Sequence, residues 1–368
     1  MAKIERDEVV MVDLKPKVKR TDAIQAFVSQ ETPIVRVFAD DGQIGIGYSY
    51  TIGTGGRSVI ELIVRHLAPQ LIGRDPDRVE EIWKALFFHT HATAVGAITS
   101  LALAAIDTAL WDMRCRRSGR PLHVEAGGAQ KSVPLYTTEG GWLHIETTEL
   151  VADALRAKAD GFGGSKIKVG RPPKEDVARL TAVRQAVGDT FEIMVDGNQG
   201  AAVDEAIRRA RLYEPIDLAW YEEPLPAEDL GGHIRLSAST SLPIAVGESI
   251  YSLQHFREYL QRDAASIIQV DVARIGGITP WLKVAHLAEA FNVAVSPHFL
   301  MELHVSLVAA IPNGRWVEYI PQLDSLTLER MRIENGRAVP SDSPGLGIAW
   351  DFAAIDKMKV GGATHIVR

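Results

Sequence analysis

The sequence predicts an α/β protein, a closed barrel of parallel strands preceded by a compact α+β unit. Three observations carry this. Short apolar runs recur at intervals of roughly 20 to 30 residues through the second half of the chain, the length of one strand–helix unit in a barrel. Between them, apolar residues recur at three- and four-residue steps, so strand and helix alternate over roughly 190 residues. The residues up to about Ala126 follow another order, strands first and helices after, which suits a separate α+β unit.

In that first unit, residues 34–39 and 44–48, joined through Asp40-Asp41-Gly42, read as a hairpin. Helical periodicity follows over 59–71 and 76–88, and an Ala- and Leu-rich stretch from about 94 to 117 reads as a buried helix. The first barrel strand is Val133-Pro134-Leu135-Tyr136-Thr137. Six runs then end in polar groups: Ser165-Lys166-Ile167-Lys168-Val169, Ile193-Met194-Val195-Asp196, Ala219-Trp220-Tyr221-Glu222, Ile244-Ala245-Val246-Gly247-Glu248, Ile267-Ile268-Gln269-Val270-Asp271 and Val293-Ala294-Val295-Ser296-Pro297-His298. Trp316-Val317-Glu318 makes a seventh. Helical patterns over 150–160, 177–187, 202–213, 232–240, 253–261, 279–291 and 303–310 fill the intervals. Right-handed crossovers favour closure of such a sheet. An open doubly wound sheet would gather ligands at one switch point, whereas here every run ends in a polar group. Beyond Glu318 the chain turns irregular, with Pro340, Pro344, Gly345 and Gly347, and is expected to pack back on the first unit. The resulting division is 1–126, 127–325 and 326–368.

Bulk properties narrow the function. A length of 368 residues accommodates a barrel and a smaller domain, each with its own core. A net charge of −7 and a pI near 5.9 speak against nucleic-acid binding, which calls for a basic patch or stripe. Cys115 is the only cysteine, so neither an internal disulfide nor a cysteine metal cluster can form. The charged start, Met1-Ala2-Lys3-Ile4-Glu5-Arg6-Asp7, does not suit a signal peptide, and no apolar stretch is long enough to span a bilayer. A cytoplasmic protein with no membrane partner is the expectation.

Asp196, Glu222 and Glu248 stand at equal 26-residue steps (196, 222, 248), each closing a barrel strand. Alone, any of them reads as a helix cap or a surface acid. In phase, they converge at the barrel mouth, where three like charges require a cation, and hard oxygen donors favour Mg²⁺. Lys166 and Lys168 lie two apart on a strand and so share a face. Mutual repulsion and burial are expected to lower their pKa values and make one a general base. Asp271 and His298 close consecutive strands, and a carboxylate on one imidazole nitrogen raises the basicity of the other. His304 is expected on a helix. Glu318 reads as a protonated acid that hydrogen-bonds a developing oxyanion. A cation and a lysine pair binding a carboxylate, with two bases about its α-carbon, stabilise an enediolate. No Ser or Cys sits beside a base suited to covalent catalysis. Gly53-Thr54-Gly55-Gly56-Arg57 lacks the ending of a P-loop and reads as a lid loop.

Together, Lys166-Ile167-Lys168-Val169-Gly170, Asp196-Gly197-Asn198-Gln199, Tyr221-Glu222-Glu223-Pro224, Gly247-Glu248-Ser249, Asp271 with Arg274-Ile275-Gly276-Gly277, Pro297-His298 and Glu318 resemble the enolase superfamily, mandelate racemase subgroup, over nearly the whole chain. The resemblance implies a modified (β/α)7β TIM-type barrel under an N-terminal α+β capping domain, often assembled as octamers. It implies Mg²⁺ on Asp196, Glu222 and Glu248, with Lys168 as one acid/base and the His298–Asp271 dyad as the other. Lys166 would contact the substrate carboxylate, Asn198 would lie beside it, and Glu318 would hydrogen-bond it. Thr138-Glu139-Gly140-Gly141-Trp142-Leu143-His144, Gly163-Gly164-Ser165 and Pro297-His298-Phe299-Leu300-Met301-Glu302 look similar to acid-sugar dehydratases of the talarate/galactarate type. Racemisation of a 2-hydroxy acid needs the same two bases, so the catalytic residues leave both outcomes open. Specificity is expected from loops around 18–29 and 50–57. Their Lys19, Arg20, Asp22, Gln25, Thr51, Thr54 and Arg57 suit a hydroxylated small-molecule carboxylate, an acid sugar.

Overall fold

The computed structural model of the protein describes residues 2–93 and 96–368. Its first unit is built on a four-stranded antiparallel sheet. Strand β1 (Ile4–Leu14) pairs with β4 (Gln30–Ala39), which pairs with β5 (Ile44–Tyr48). A short ribbon, β2 (Arg20–Thr21) with β3 (Ala26–Phe27), rises from the connection between β1 and β4. Helices α1 (Gly56–Leu62), α2 (Val79–His89), α3 (Ala97–Ser118) and α4 (Leu122–Glu125) follow. The periodic stretch 59–71 is not one helix. Past Leu62 it widens to a π turn over Ile63–Leu67 and tightens to a 3₁₀ turn at Ala68–Gln70, where Pro69 has no N–H to continue the ladder. Helix α3 begins at Ala97; the proposed start at Ala94 lies outside the described residues. It lies directly on β5. A Cβ at Gly45 would stand 2.8 Å from the Met113 Cβ, so glycine is what allows the approach.

The barrel alternates strand and helix throughout. Its strands are β6 (Val133–Thr137), β7 (Gly164–Lys168), β8 (Glu192–Asp196), β9 (Trp220–Glu222), β10 (Ile244–Val246), β11 (Ile267–Ile268) and β12 (Ala294–Val295), each parallel to the next. The eighth, β13 (Val317–Tyr319), pairs with β6, and a bridge from Val295 to Gly314 closes the ring. Seven helices fill the crossovers: α5 (Thr147–Ala159), α6 (Pro173–Val187), α7 (Val203–Tyr213), α8 (Leu230–Ser237), α9 (Leu253–Gln261), α10 (Ile278–Ala290) and α11 (Met301–Ala310). This is a (β/α)7β barrel. His304 lies on α11.

Strand parity positions the site. Buried Tyr136, Met194, Trp220, Ala245, Ile267 and Trp316 pack together in the barrel interior. Side chains two residues further along a strand share that face one layer higher, which lifts Asp196, Glu222 and Glu318 to the mouth. Three of the predicted strand endings are displaced. Pairing stops at Val246, Ile268 and Val295, so Glu248, Asp271 and His298 stand two or three residues past their strands. The chain has already turned into the mouth loops there, and Asp271 Oδ1 caps its turn by accepting the amides of Ala273 (2.7 Å) and Arg274 (3.1 Å).

The irregular tail serves both units. β14 (Arg332–Glu334) and β15 (Arg337–Val339) form a hairpin that pairs with barrel strand β6, a contact in addition to the expected one with the first unit. The last segments do return there: helix α12 (Phe352–Met358) precedes β16 (His365–Val367), which joins the edge of β1. Trp350 stands edge-on to Tyr48.

Candidate active site

Each acid reaches the mouth from its own strand. Oxygen atoms of Asp196, Glu222 and Glu248 all lie within 4.8 Å of one another, and all three residues are buried. Glu222 accepts from Trp220 Nε1 (3.1 Å), Gln269 Nε2 (2.6 Å) and Lys166 Nζ (2.7 Å). Asp196 accepts the Asn198 amide (2.8 Å) and Lys168 Nζ (2.5 Å). Three buried hard-oxygen donors with no nitrogen or sulfur among them fit a small divalent cation such as Mg²⁺. Asp196, Glu222 and Glu248 would hold it.

Lys166 is fully buried, 3.0 Å from Glu318 and 3.7 Å from Asp196 as well as bonded to Glu222. His298 offers Nδ1 to Asp271 Oδ2 at 2.8 Å and Nε2 to Glu248 Oε2 at 3.2 Å. Lys168 therefore touches the first acid of the trio and His298 the last. Lys166, Lys168, Asn198, Glu248, His298 and Glu318 line one cavity of about 180 Å³, with Glu222 and Asp271 directly behind it.

The electrostatics depart from the sequence in two places. Burial would lower Lys166 and Lys168, but Glu222 and Glu318 around the first and Asp196 beside the second outweigh it, and both are raised. Proximity of opposite charge wins over repulsion within the pair. Burial would likewise raise Glu318, yet Lys166 and the Thr138 and Phe299 donors hold it well below the usual carboxylate range. Burial pushes Glu222 up to about 7, against the pull of Lys166. Asp196 is lowered, its burial outweighed by Lys168 and Lys166. In the dyad, burial opposes both charges, but mutual attraction takes Asp271 down to about 2, and Glu248 with Asp271 raises His298.

Two contributors escape the sequence. Tyr50, from the first unit, donates its hydroxyl to Asp271 Oδ2 at 2.7 Å, and Arg274 donates from Nε to that hydroxyl at 3.1 Å and from Nη1 to the Glu248 carbonyl at 3.1 Å. Tyr50 opens one of the loops marked for specificity and Arg274 sits in a quoted motif, but neither position advertises a hydrogen bond to the dyad. Of the seven loop residues expected near substrate, only Asp22 and Gln25 line the cavity. Arg20 is spent on Glu139, and Thr51 on Glu31 (2.7 Å). The glycine-rich segment opens helix α1, where Gly56 donates to Glu31 (2.7 Å).

Residues 149–364 match the enolase C-terminal domain-like family, and residues 7–124 match the mandelate racemase / muconate lactonizing enzyme N-terminal domain. The chain belongs to the enolase superfamily, in its mandelate racemase subgroup. Like its relatives there, it is a metal-dependent enzyme. L-talarate/galactarate dehydratase of Salmonella typhimurium is 38% identical over 85% of this chain and 79% of that enzyme. 3,6-anhydro-alpha-L-galactonate cycloisomerase of Streptomyces coelicolor is 35% identical over 97% of this chain and 100% of that one. A crystal structure of the Salmonella dehydratase, liganded with Mg and L-lyxarohydroxamate, superposes with a TM-score of 0.94 at 34% identity, covering 100% of this chain and 94% of that one. A racemase from S. coelicolor with bound magnesium gives 0.93 at 35% identity, covering 97% and 100%.

Proposed function

We propose that the enzyme removes the proton next to a substrate carboxylate, with Mg²⁺ on Asp196, Glu222 and Glu248, and dehydrates an acid sugar (aldarate or aldonate) to a 2-keto-3-deoxy acid. The contact of Lys168 with one end of the acid trio and of His298 with the other carries the reading. When bound, magnesium supplies the positive charge that makes an enediolate accessible near neutral pH.

The chain's own residues do the rest. Lys166 meets the substrate carboxylate as a buried cation, with Asn198 beside it; the Asn198 side-chain oxygen is buried and has no partner among the described residues. Glu318 holds Lys166 in place, and a hydrogen bond from Glu318 to the same carboxylate requires it to take up a proton as substrate arrives. A cation on Asp196, Glu222 and Glu248 would offset the carboxylate charge that raises Lys168 and His298, and one base, Lys168 or the His298–Asp271 dyad, takes the α-proton in its neutral form. The other, in its acid form, gives a proton to the β-hydroxyl, which leaves as water, and the enol tautomerises to the 2-keto acid. Asp271 fixes the imidazole so that Nε2 faces the reaction.

Incubation with a library of acid sugars and Mg²⁺ is expected to give semicarbazide-reactive 2-keto product from at least one; none from any would remove the dehydratase reading. The same pair of bases supports a second reading, racemisation or epimerisation of a 2-hydroxy acid by 1,1-proton transfer. That outcome shows as deuterium uptake from D₂O at the α-carbon without loss of water. Family resemblance supports a homo-oligomer, an octamer, and a cytoplasmic setting.

A further inference from the structure

The cavity at the barrel mouth has two unlike walls. On the barrel side Lys166, Lys168 and His298 gather positive charge about the acids. The wall from the capping unit consists of Asp22, Ile24, Gln25, Phe27 and Ile52: three apolar side chains, one amide and one carboxylate, with no cation among the described residues. Arg274 is the remaining cation of the lining, and it is engaged by the Glu248 carbonyl and carboxylate (3.1 and 3.4 Å) and by Tyr50. The cations of the capping loops do not line this cavity: Lys19 lines a neighbouring groove with Val18, Glu139 and Trp142. Lys17 pairs with Asp324 at 3.2 Å, Arg20 pairs with Glu139, and Arg57 lines a separate surface groove. Asp22 is fixed in its turn, Oδ1 accepting the amides of Ile24 (2.7 Å) and Gln25 (2.8 Å).

Resting on the acid-sugar reading above, we infer that the substrate carries a single carboxylate and an uncharged far end, an aldonate-type acid and not an aldarate. A second carboxylate at the far end would meet Asp22 as a like charge and lose part of its hydration against half-buried Phe27 and Ile52 with no cation in return, Ile24 at the rim being 64% exposed. A terminal hydroxyl can donate to Asp22, while the carbons beside it pack on the isoleucines. Discrimination is thus built from a repulsive element as well as an attractive one.

The test uses pairs that differ only at the terminal carbon, galactonate against galactarate and gluconate against glucarate, with Mg²⁺ present. For turnover, kcat/KM is expected to favour the monocarboxylate by about tenfold or more. Calorimetric binding of each pair to Lys168→Ala scores the same preference without turnover. Asp22→Asn keeps both amide contacts and is expected to narrow the gap by about fivefold, the effect of removing one partly screened charge. Ile24→Arg is expected to favour the dicarboxylate. If no acid yields keto product, the dehydratase reading falls while the binding series still decides the charge preference. An aldarate bound or turned over as well as its aldonate partner, or no preference in binding at all, overturns the inference.

Discussion

Lys168 is the side chain on which the proposed proton transfer turns. It is buried, bonded to Asp196 at 2.5 Å and positioned 5.7 Å from the Trp142 ring centre, so its amine is held in one place. Lys168→Ala is expected to lower kcat about 10²- to 10⁴-fold, the usual worth of a positioned acid/base, while the far-ultraviolet spectrum stays that of the parent. Unchanged turnover would remove Lys168 from the chemistry. At this scale the positions are legible in the sequence, because inward parity on consecutive strands is a local property. Protonation is not. Lys166 is governed by Glu222 and Glu318, which reach it from other strands, so a local Lys-x-Lys argument arrives at the wrong sign. Tyr50 escapes for the same reason: its partner Asp271 is distant in sequence.

Strand β1 shows what element-level patterning misses. Glu5, Arg6, Asp7 and Glu8 make its first half look like a solvated tail, yet Val9 to Leu14 pair with β4 and the strand forms the middle of the first sheet. Asp7 is 0% exposed, and neither of its carboxylate oxygens has a hydrogen-bond partner among the described residues. Burial pushes its pKa up to about 8. Below about pH 4 the group is protonated in the folded and unfolded chain alike and costs nothing. As pH rises toward 8 the unfolded chain releases the proton and the folded one keeps it, so stability falls, by at most about 1.4 kcal/mol per pH unit. Asp7→Asn removes the titration. The parent's melting midpoint is expected to drop from pH 5 to pH 8 more than that of the variant. Parallel curves would show that Asp7 is solvated or paired in solution. The barrel strands were easier to see, since their apolar runs are uninterrupted; what the sequence could not show is that three of them stop pairing before their functional residue, because that depends on how far the neighbouring strand extends.

The whole molecule depends on how the capping unit sits on the barrel, since Tyr50, Asp22 and the apolar wall come from one and the acids and bases from the other. Composition and periodicity divide the chain into two kinds of structure but say nothing of the contacts that join them. Helix α3 makes that joint. Asp107 on α3 accepts from the Thr279 amide (2.9 Å) and hydroxyl (2.7 Å) at the start of α10, and Trp111 Nε1 donates to the same hydroxyl at 2.9 Å. On α2, Trp83 donates to the Gly276 carbonyl at 2.8 Å. Gly277 has a φ of +120°, and a Cβ there would stand 2.6 Å from Asp107 Cγ, so glycine is needed for the acid to reach the helix start. Asp107→Ala leaves a buried amide and hydroxyl without their acceptor, a loss of about 1 to 3 kcal/mol that is expected to lower the melting midpoint. Because the cavity wall moves with the capping unit, KM is expected to rise more than kcat falls. Asp107→Asn, which retains one acceptor oxygen, should recover part of both. A variant with lower stability and unaltered KM would mean that the joint holds the fold together without setting the shape of the site.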